Sequence, residues 1–164
     1  MNRRAVIPLC VVLVLIVGGQ AFSQTRVTFK GTNYASAAMK AMPVDKDHIV
    51  LVGEQMGVEI NDQPAFNYMS THFSVIAYFV KDSGWHFHGY GVYADKDGDT
   101  LLLEIWDFPA GADGGKGKLI GGTGKFAGAQ GTAEFVNERP RGWPESTGRV
   151  ICRETWNLTL KNPL

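Results

Sequence analysis

The chain has few cysteines and no excess of either charge. Its 164 residues include 2 cysteines, and 16 lysines and arginines balance 16 aspartates and glutamates. No run of basic residues is present, which argues against nucleic acid as a partner. The chain also has no internal repeat and no coiled-coil pattern. We therefore expect one globular domain that is stabilised by its own core.

The one long apolar run lies at the N-terminus. Arg3 and Arg4 precede an apolar stretch over 5–17, and small residues follow over 18–23. This order is typical of a secretory signal peptide, and the apolar stretch is shorter than the roughly 20 residues of a membrane-spanning helix. We predict a signal peptide over 1–23 and a single mature domain over 24–164 with no stable membrane span. The protein is then exported, to the periplasm or to the medium.

Removal of the signal peptide would leave one cysteine. Cys10 lies in the apolar stretch, and Cys152 lies near the C-terminus. A disulfide within the mature chain is then impossible, although exported domains often contain them. We expect Cys152 to behave as a small apolar residue in the core.

Strand and turn signals dominate the mature chain. Strands are predicted over 26–30, 48–55, 71–81, 85–93, 100–107, 118–126, 131–137 and 149–160. Asp82-Ser83-Gly84 and the acidic segment 95–99 are predicted turns. The only helix-like composition is over 35–42, before Pro43, and a single turn or coil is the alternative there. Short strands without helical repeats predict an all-β protein, a closed eight-stranded antiparallel barrel.

A glycine-rich segment precedes the last two predicted strands. It reads Gly121-Gly122-Thr123-Gly124-Lys125-Phe126-Ala127-Gly128-Ala129-Gln130-Gly131. Because glycine tolerates positive φ and close backbone approach, the segment predicts tight turns, bulges or a sharply bent strand. The residues expected to have this structural role are Gly121, Gly122, Thr123, Gly124, Phe126, Gly128 and Gly131.

The order of these residues resembles the signature of the dirigent and allene oxide cyclase superfamily. The usual ending there is Ala-Arg-Gly, and Gln130 replaces that arginine. The resemblance covers roughly 88–160. It implies a calycin-like barrel of eight antiparallel strands, with a mainly apolar cavity open at one end. Members of the superfamily cyclise an unsaturated fatty-acid epoxide or guide the coupling of phenoxy radicals, but their catalytic residues match no positions here.

Each strand of a barrel offers two faces, because alternate residues point inward. Over 85–93 one face carries Trp85 and Phe87, and the other carries His86, His88 and Tyr90. The sequence leaves open which face lines the interior. Candidate ligand-binding residues therefore come from both faces: Phe73, Tyr78, Trp85, Phe87, Tyr90 and Trp106. The candidates for a general acid or base are His86, His88, Tyr90 and Tyr78.

Two patterns resemble metal sites. His86 and His88 point the same way and could share a metal, with His72 as a third ligand. No further ligand follows at a fixed spacing, so we predict no metal site and no cofactor. The segment Asp95-Lys96-Asp97-Gly98-Asp99 resembles the start of a calcium loop, but position twelve is Trp106 rather than glutamate. A β-turn is the better interpretation.

Three functions stay open. The first is an exported barrel that binds a small lipophilic or aromatic molecule in its cavity. The second is an isomerase or cyclase, or dirigent-like steering of a coupling reaction, on an unsaturated lipophilic substrate. The third is a packed structural or interaction barrel that forms a homo-oligomer. A hollow interior would favour the first two functions, and a filled one the third.

Overall fold

The structure, a computed structural model, describes residues 24–108, 113–138 and 148–161. The eight strands are β1 Thr25–Pro43, β2 His48–Asn61, β3 Met69–Val80, β4 Gly84–Ala94, β5 Thr100–Asp107, β6 Gly114–Gly122, β7 Gln130–Glu138 and β8 Arg149–Leu160. Each strand pairs antiparallel with its neighbours in sequence, and β1 also pairs with β8, which closes the barrel. The predicted fold is confirmed.

The predicted signal peptide over 1–23 lies outside the described residues. Within 24–108, 113–138 and 148–161, no helix has the length and apolar character needed to cross a membrane.

The helix-like segment 35–42 is a strand, so that prediction is wrong. It forms the second half of β1 and pairs with β2 from Ala35↔Gly57 to Pro43↔Ile49. Alanine and methionine prefer the helix by less than about 0.7 kcal/mol per residue, so a paired strand easily outweighs that preference. The predicted strand over 118–126 also differs, since β6 ends at Gly122 and Gly124–Phe126 form a 3-10 turn.

One end of the barrel, the closed end, is filled by aromatic rings. The loop between β2 and β3 supplies Phe66, the loop between β6 and β7 supplies Phe126, and Phe29 and Trp156 join them from the strands. The ring centroid of Phe66 lies 4.7 Å from that of Phe29 and 5.3 Å from that of Phe126. The ring centroids of Phe29 and Trp156 lie 5.7 Å apart. Since burying one such side chain stabilises by about 1.5–3 kcal/mol, this stack is a large part of the core.

The glycine-rich segment forms the loop that carries Phe126 into the closed end. Gly124 and Gly128 have φ of 54° and 73°, a conformation that residues with a Cβ rarely adopt. A Cβ at Gly124 would also lie 1.6 Å from Oδ1 of Asp99. The pairing of β5 with β6 shifts register after Leu102, which places a bulge just before the loop. The segment therefore contains the tight turns and the bulge that its glycines predict.

Candidate functional site

Among the described residues, no side chain fills the other half of the barrel. A cavity of about 160 Å³ lies between the aromatic stack and the end of the barrel that carries the β3–β4 turn. Its walls are mainly apolar and consist of Phe73, Val75, Ala77, Phe87, Leu103, Ile105, Gly117, Ala133 and Phe135. Polar lining comes from Asn33, Gln55, Tyr93, Asn137, Cys152 and Glu154. A cavity of about 150 Å³ holds one benzene molecule, so the space suits a group the size of one ring.

A buried carboxyl, that of Glu154, lines the cavity at the end next to the aromatic stack, which we call the cavity floor. The hydroxyl of Tyr93 donates to both of its oxygens at 2.8 Å, and Nε1 of Trp156 donates to Oε2 at 2.8 Å. Burial raises the pKa of Glu154 to about 7, although these hydrogen bonds favour the charged form. Near neutral pH this carboxyl can therefore either give or take a proton.

A second carboxyl, that of Glu59, lies behind the cavity wall. The side chain is 1% exposed, and among the described residues neither of its oxygens has a hydrogen-bond partner. Burial, and next the negative charge of Glu154, raise the pKa of Glu59 to about 9. Because both charges together would be costly here, the pair keeps at least one proton at neutral pH.

A glycine makes room for Glu59 and Glu154, the acid pair. Gly31 lies on β1, between β2 and β8, and it is paired with Glu154 across the β1–β8 ladder. A Cβ at Gly31 would lie 1.6 Å from Oε1 of Glu59. The carboxyl of Glu59 therefore occupies the space that a side chain at this position would fill, on the side of Glu154.

The amide of Asn33 and the thiol of Cys152 complete the floor as neutral polar groups. Nδ2 of Asn33 donates to Oγ1 of Thr71 at 3.1 Å, and both residues are buried. Burial, and next the charge of Glu154, raise the pKa of the Cys152 thiol, so it stays protonated. The described residues of the floor thus provide hydrogen-bonding groups and no fixed positive charge.

The comparisons with known proteins bear on the fold. No protein-family model matches the sequence, and no curated protein matches it. The solved structure of the pterocarpan synthase dirigent protein GePTS1 is similar, with a TM-score of 0.53 and 14% identity over 87% of each chain. That of the pterocarpan synthase dirigent protein PsPTS1 has a TM-score of 0.52 and 14% identity, covering 87% of this chain and 97% of that one.

The chain has the fold of dirigent proteins. This confirms the predicted resemblance to the dirigent and allene oxide cyclase superfamily as a likeness of the barrel. At 14% identity the likeness concerns the fold and carries no information on the residues of the cavity.

The dirigent-type barrel divides the predicted ligand-binding residues between its two surfaces. Phe73 and Phe87 line the cavity. Trp85 shares their face but lies at the rim, where it is 49% exposed and its ring lies 5.3 Å from that of Phe79. The outer surface carries Tyr78, Tyr90 and Trp106, which cannot contact a molecule in the cavity because their side chains alternate with the inward ones.

The histidines of the predicted site also lie on the outer surface. Each contacts a carboxylate on a neighbouring strand: His86 Nδ1 lies 2.9 Å from Asp107 Oδ2, His88 Nε2 lies 2.9 Å from Glu104 Oε1, and His72 Nε2 lies 3.4 Å from Glu54 Oε2. In the described parts of the chain, no group of three or more His, Cys, Asp or Glu is placed to hold a metal ion. His86, His88, Tyr90 and Tyr78 are therefore not the acids or bases of the cavity.

The acidic segment 95–99 is a turn that a lysine stabilises. Oδ1 of Asp95 accepts from the backbone N–H groups of Asp97 and Asp99, both at 2.9 Å. The ammonium of Lys125 contacts Asp95 and lies 3.6 Å from Oδ2 of Asp97. A cation from the chain itself therefore lies against the carboxylates that resemble a calcium loop.

Neither carboxyl of the acid pair was predicted from the sequence. For Glu154 a signal existed, because Cys152, Trp156 and Leu158 occupy the same face of β8, and an acid among apolar alternate positions indicates a buried polar site. For Glu59 there was none. Its face of β2 carries the small or polar residues Gly57 and Gln55, which do not mark an interior.

Proposed function

We propose that this barrel binds one small, largely apolar molecule that has a ring-sized part and one polar group. The observation that supports the proposal is the cavity itself, with apolar walls and a polar floor at Glu154 and Tyr93. A ring would pack against Phe73 and Phe87, and the polar group would exchange hydrogen bonds with the floor. The hollow half of the barrel favours this function over a filled structural module.

The charge of the floor selects among ligands. The described lining residues include no lysine or arginine, and the acid pair becomes negative as the pH rises past neutrality. A bound carboxylate would therefore be repelled and would lose its hydration without compensation. We infer that the ligand is neutral, such as a phenol, an alcohol or a ketone.

A titration with phenol and with benzoate tests this proposal, because the two differ mainly in charge. Binding is followed by two-dimensional NMR of the purified protein at pH 7.5. Phenol should shift the amides of cavity residues in a saturable manner, and benzoate should bind at least tenfold more weakly. Native mass spectrometry of the same sample would detect a lipophilic molecule retained during purification.

Two variants on neighbouring positions of β3 provide the matched control. Ala77 lines the cavity, and Ile76 lies on the outer surface with 54% of its side chain exposed. Ala77→Trp should fill the cavity and abolish phenol binding, and Ile76→Trp should leave it unchanged. Equal binding by the two variants, or no binding of any neutral ring compound by the unmodified protein, would contradict the proposal.

A second candidate is an isomerase or cyclase that holds an unsaturated molecule in one conformation. The pKa of Glu154, about 7, favours it, because this carboxyl can transfer a proton to or from a molecule in the cavity. Both dirigent structures reported above are of proteins named pterocarpan synthases, which supports this candidate.

Exchange of the methyl protons of acetophenone in D₂O tests this second candidate. Proton transfer next to a carbonyl is the simplest reaction that a cavity acid and base can accelerate. We expect exchange faster than in buffer, abolished by Glu154→Gln and unchanged by Glu104→Gln on the outer surface. Binding of phenol without any exchange would leave binding as the function and reject the enzyme.

We also propose that the protein is exported and that it self-associates. The order of residues over 1–23 supports export, and N-terminal sequencing of the protein from a periplasmic or medium fraction would test it. Exposed apolar residues on the outer surface of β2 and β3, among them Met56, Val58 and Ile76, support a second copy as a partner. Light scattering after size exclusion should then give a multiple of the monomer mass.

A further inference from the structure

Three side chains at the rim of the barrel, outside the cavity, form a hydrogen-bonded chain. Ser83 lies in the β3–β4 turn, His86 lies on the outer surface of β4, and Asp107 ends β5. Nε2 of His86 lies 3.0 Å from Oγ of Ser83, and Nδ1 of His86 lies 2.9 Å from Oδ2 of Asp107. The two nitrogens of one imidazole thus join a hydroxyl to a carboxylate.

The surroundings hold the imidazole and the carboxylate in place. Oδ1 of Asp107 accepts from the backbone N–H of Phe87 at 3.3 Å, so both carboxylate oxygens are used. The ring of Tyr78 stacks on the imidazole, with centroids 5.1 Å apart and planes 24° apart. The carboxylate favours the tautomer with its proton on Nδ1, which leaves Nε2 free to accept the proton of the serine hydroxyl.

We propose that Ser83, His86 and Asp107 act as a nucleophilic triad that hydrolyses small, activated carboxylic esters at the barrel rim. Each residue has the partner that its role requires: the nucleophile contacts the base, and the base is oriented by a carboxylate. Ser83 is exposed, so a small ester in solution can reach its hydroxyl.

The reaction is balanced by the triad and water alone. Oγ of Ser83 attacks the acyl carbon while its proton passes to Nε2 of His86. The ester bond then breaks, and the leaving alcohol takes that proton as the acyl group stays on Ser83. Water, deprotonated by Nε2, attacks the acyl carbon, and the proton returns to Oγ as the carboxylic acid departs.

One donor is missing, and its absence sets the expected rate. The backbone N–H of Ser83 donates to the carbonyl of Val80 at 3.1 Å, so it is not free to stabilise an oxyanion. Loss of one such donor costs about 10²–10³-fold in rate in serine hydrolases. We therefore expect slow turnover, confined to esters with good leaving groups.

Hydrolysis of p-nitrophenyl acetate and labelling by a fluorophosphonate probe test the triad. The purified protein should release p-nitrophenol faster than buffer, and peptide mass spectrometry should place the probe on Ser83. Ser83→Ala should remove both signals, and Asp107→Asn should lower the hydrolysis rate at least tenfold, because an amide favours the wrong tautomer.

Ser74→Ala is the matched control, since Ser74 is an exposed serine on the outer surface of β3. This variant should hydrolyse the ester and take up the probe at the rates of the unmodified protein. Circular dichroism establishes that each variant is folded. If Asp107→Asn does not fold, Ser83→Ala still tests the proposal, because it changes only an exposed turn. Equal hydrolysis by the Ser83→Ala and Ser74→Ala variants, or labelling that does not map to Ser83, would overturn the proposal.

Discussion

Glu59→Gln is expected to change how the stability of the barrel depends on pH. In the folded protein, burial and the charge of Glu154 raise the pKa of Glu59 from 4.5 to about 9. Between these two values the folded state binds more protons at Glu59 than the unfolded state does. The stabilising contribution is therefore complete below pH 4.5 and is lost as the pH rises toward 9.

The magnitude follows from the width of that window. Each pH unit between the two pKa values removes about 1.4 kcal/mol from the free energy of unfolding. Between pH 5 and pH 7 the titration of Glu59 should remove about 2–3 kcal/mol. A glutamine has nearly the same shape and no charge to bury, so the variant should lack this loss and be the more stable protein at pH 7.

Urea unfolding at several pH values, followed by tryptophan fluorescence, to which the buried Trp156 contributes, measures the effect. The control is Glu54→Gln on the same strand, where the glutamate is exposed on the outer surface. Its unfolding free energy should follow that of the unmodified protein at every pH. The reasoning is refuted if Glu59→Gln and the unmodified protein lose stability in parallel between pH 5 and pH 7.

Three further substitutions test the packing. Gly31→Ala should lower the unfolding free energy by about 1–3 kcal/mol by displacing Glu59, and adding Glu59→Ala should recover part of that loss in urea unfolding. Lys125→Met should lower it by about 1–2 kcal/mol, because the carboxylates of the acidic turn lose their cation; an unchanged melting curve would contradict this. Phe126→Ala should cost about 3–5 kcal/mol in thermal unfolding, whereas Ile120→Ala on the outer surface should change stability by less than about 0.5 kcal/mol.

The barrel could be predicted because its signals are local. Turn residues at 82–84 and 95–99 separate short strands, and the glycines of 121–131 mark a loop whatever lies around it. The segment 35–42 could not be assigned in this way. Its alanines and methionines are compatible with a helix, and only pairing with the next strand, β2, makes it a strand.

The site was predictable only in part, because the alternation of a strand leaves its orientation undetermined. Phe73 and Phe87 were named together with Tyr78 and Tyr90 from the opposite faces, and packing against the other six strands decides between them. The acid pair depends on still more distant contacts. Glu59 lies in its place because a residue of β1, Gly31, has no side chain.

The closed end of the barrel would fix the order in which the parts of a ligand enter and leave. Among the described residues, Phe66 and Phe126 obstruct one end, which excludes that end as a route into the cavity. If the proposed ligand binds here, the part of it that enters first would lie deepest, beside Glu154, and would leave last. Two ligands in this cavity would have to enter and leave one after the other. A long chain attached to a ligand would extend out of the cavity without changing the contacts at the floor.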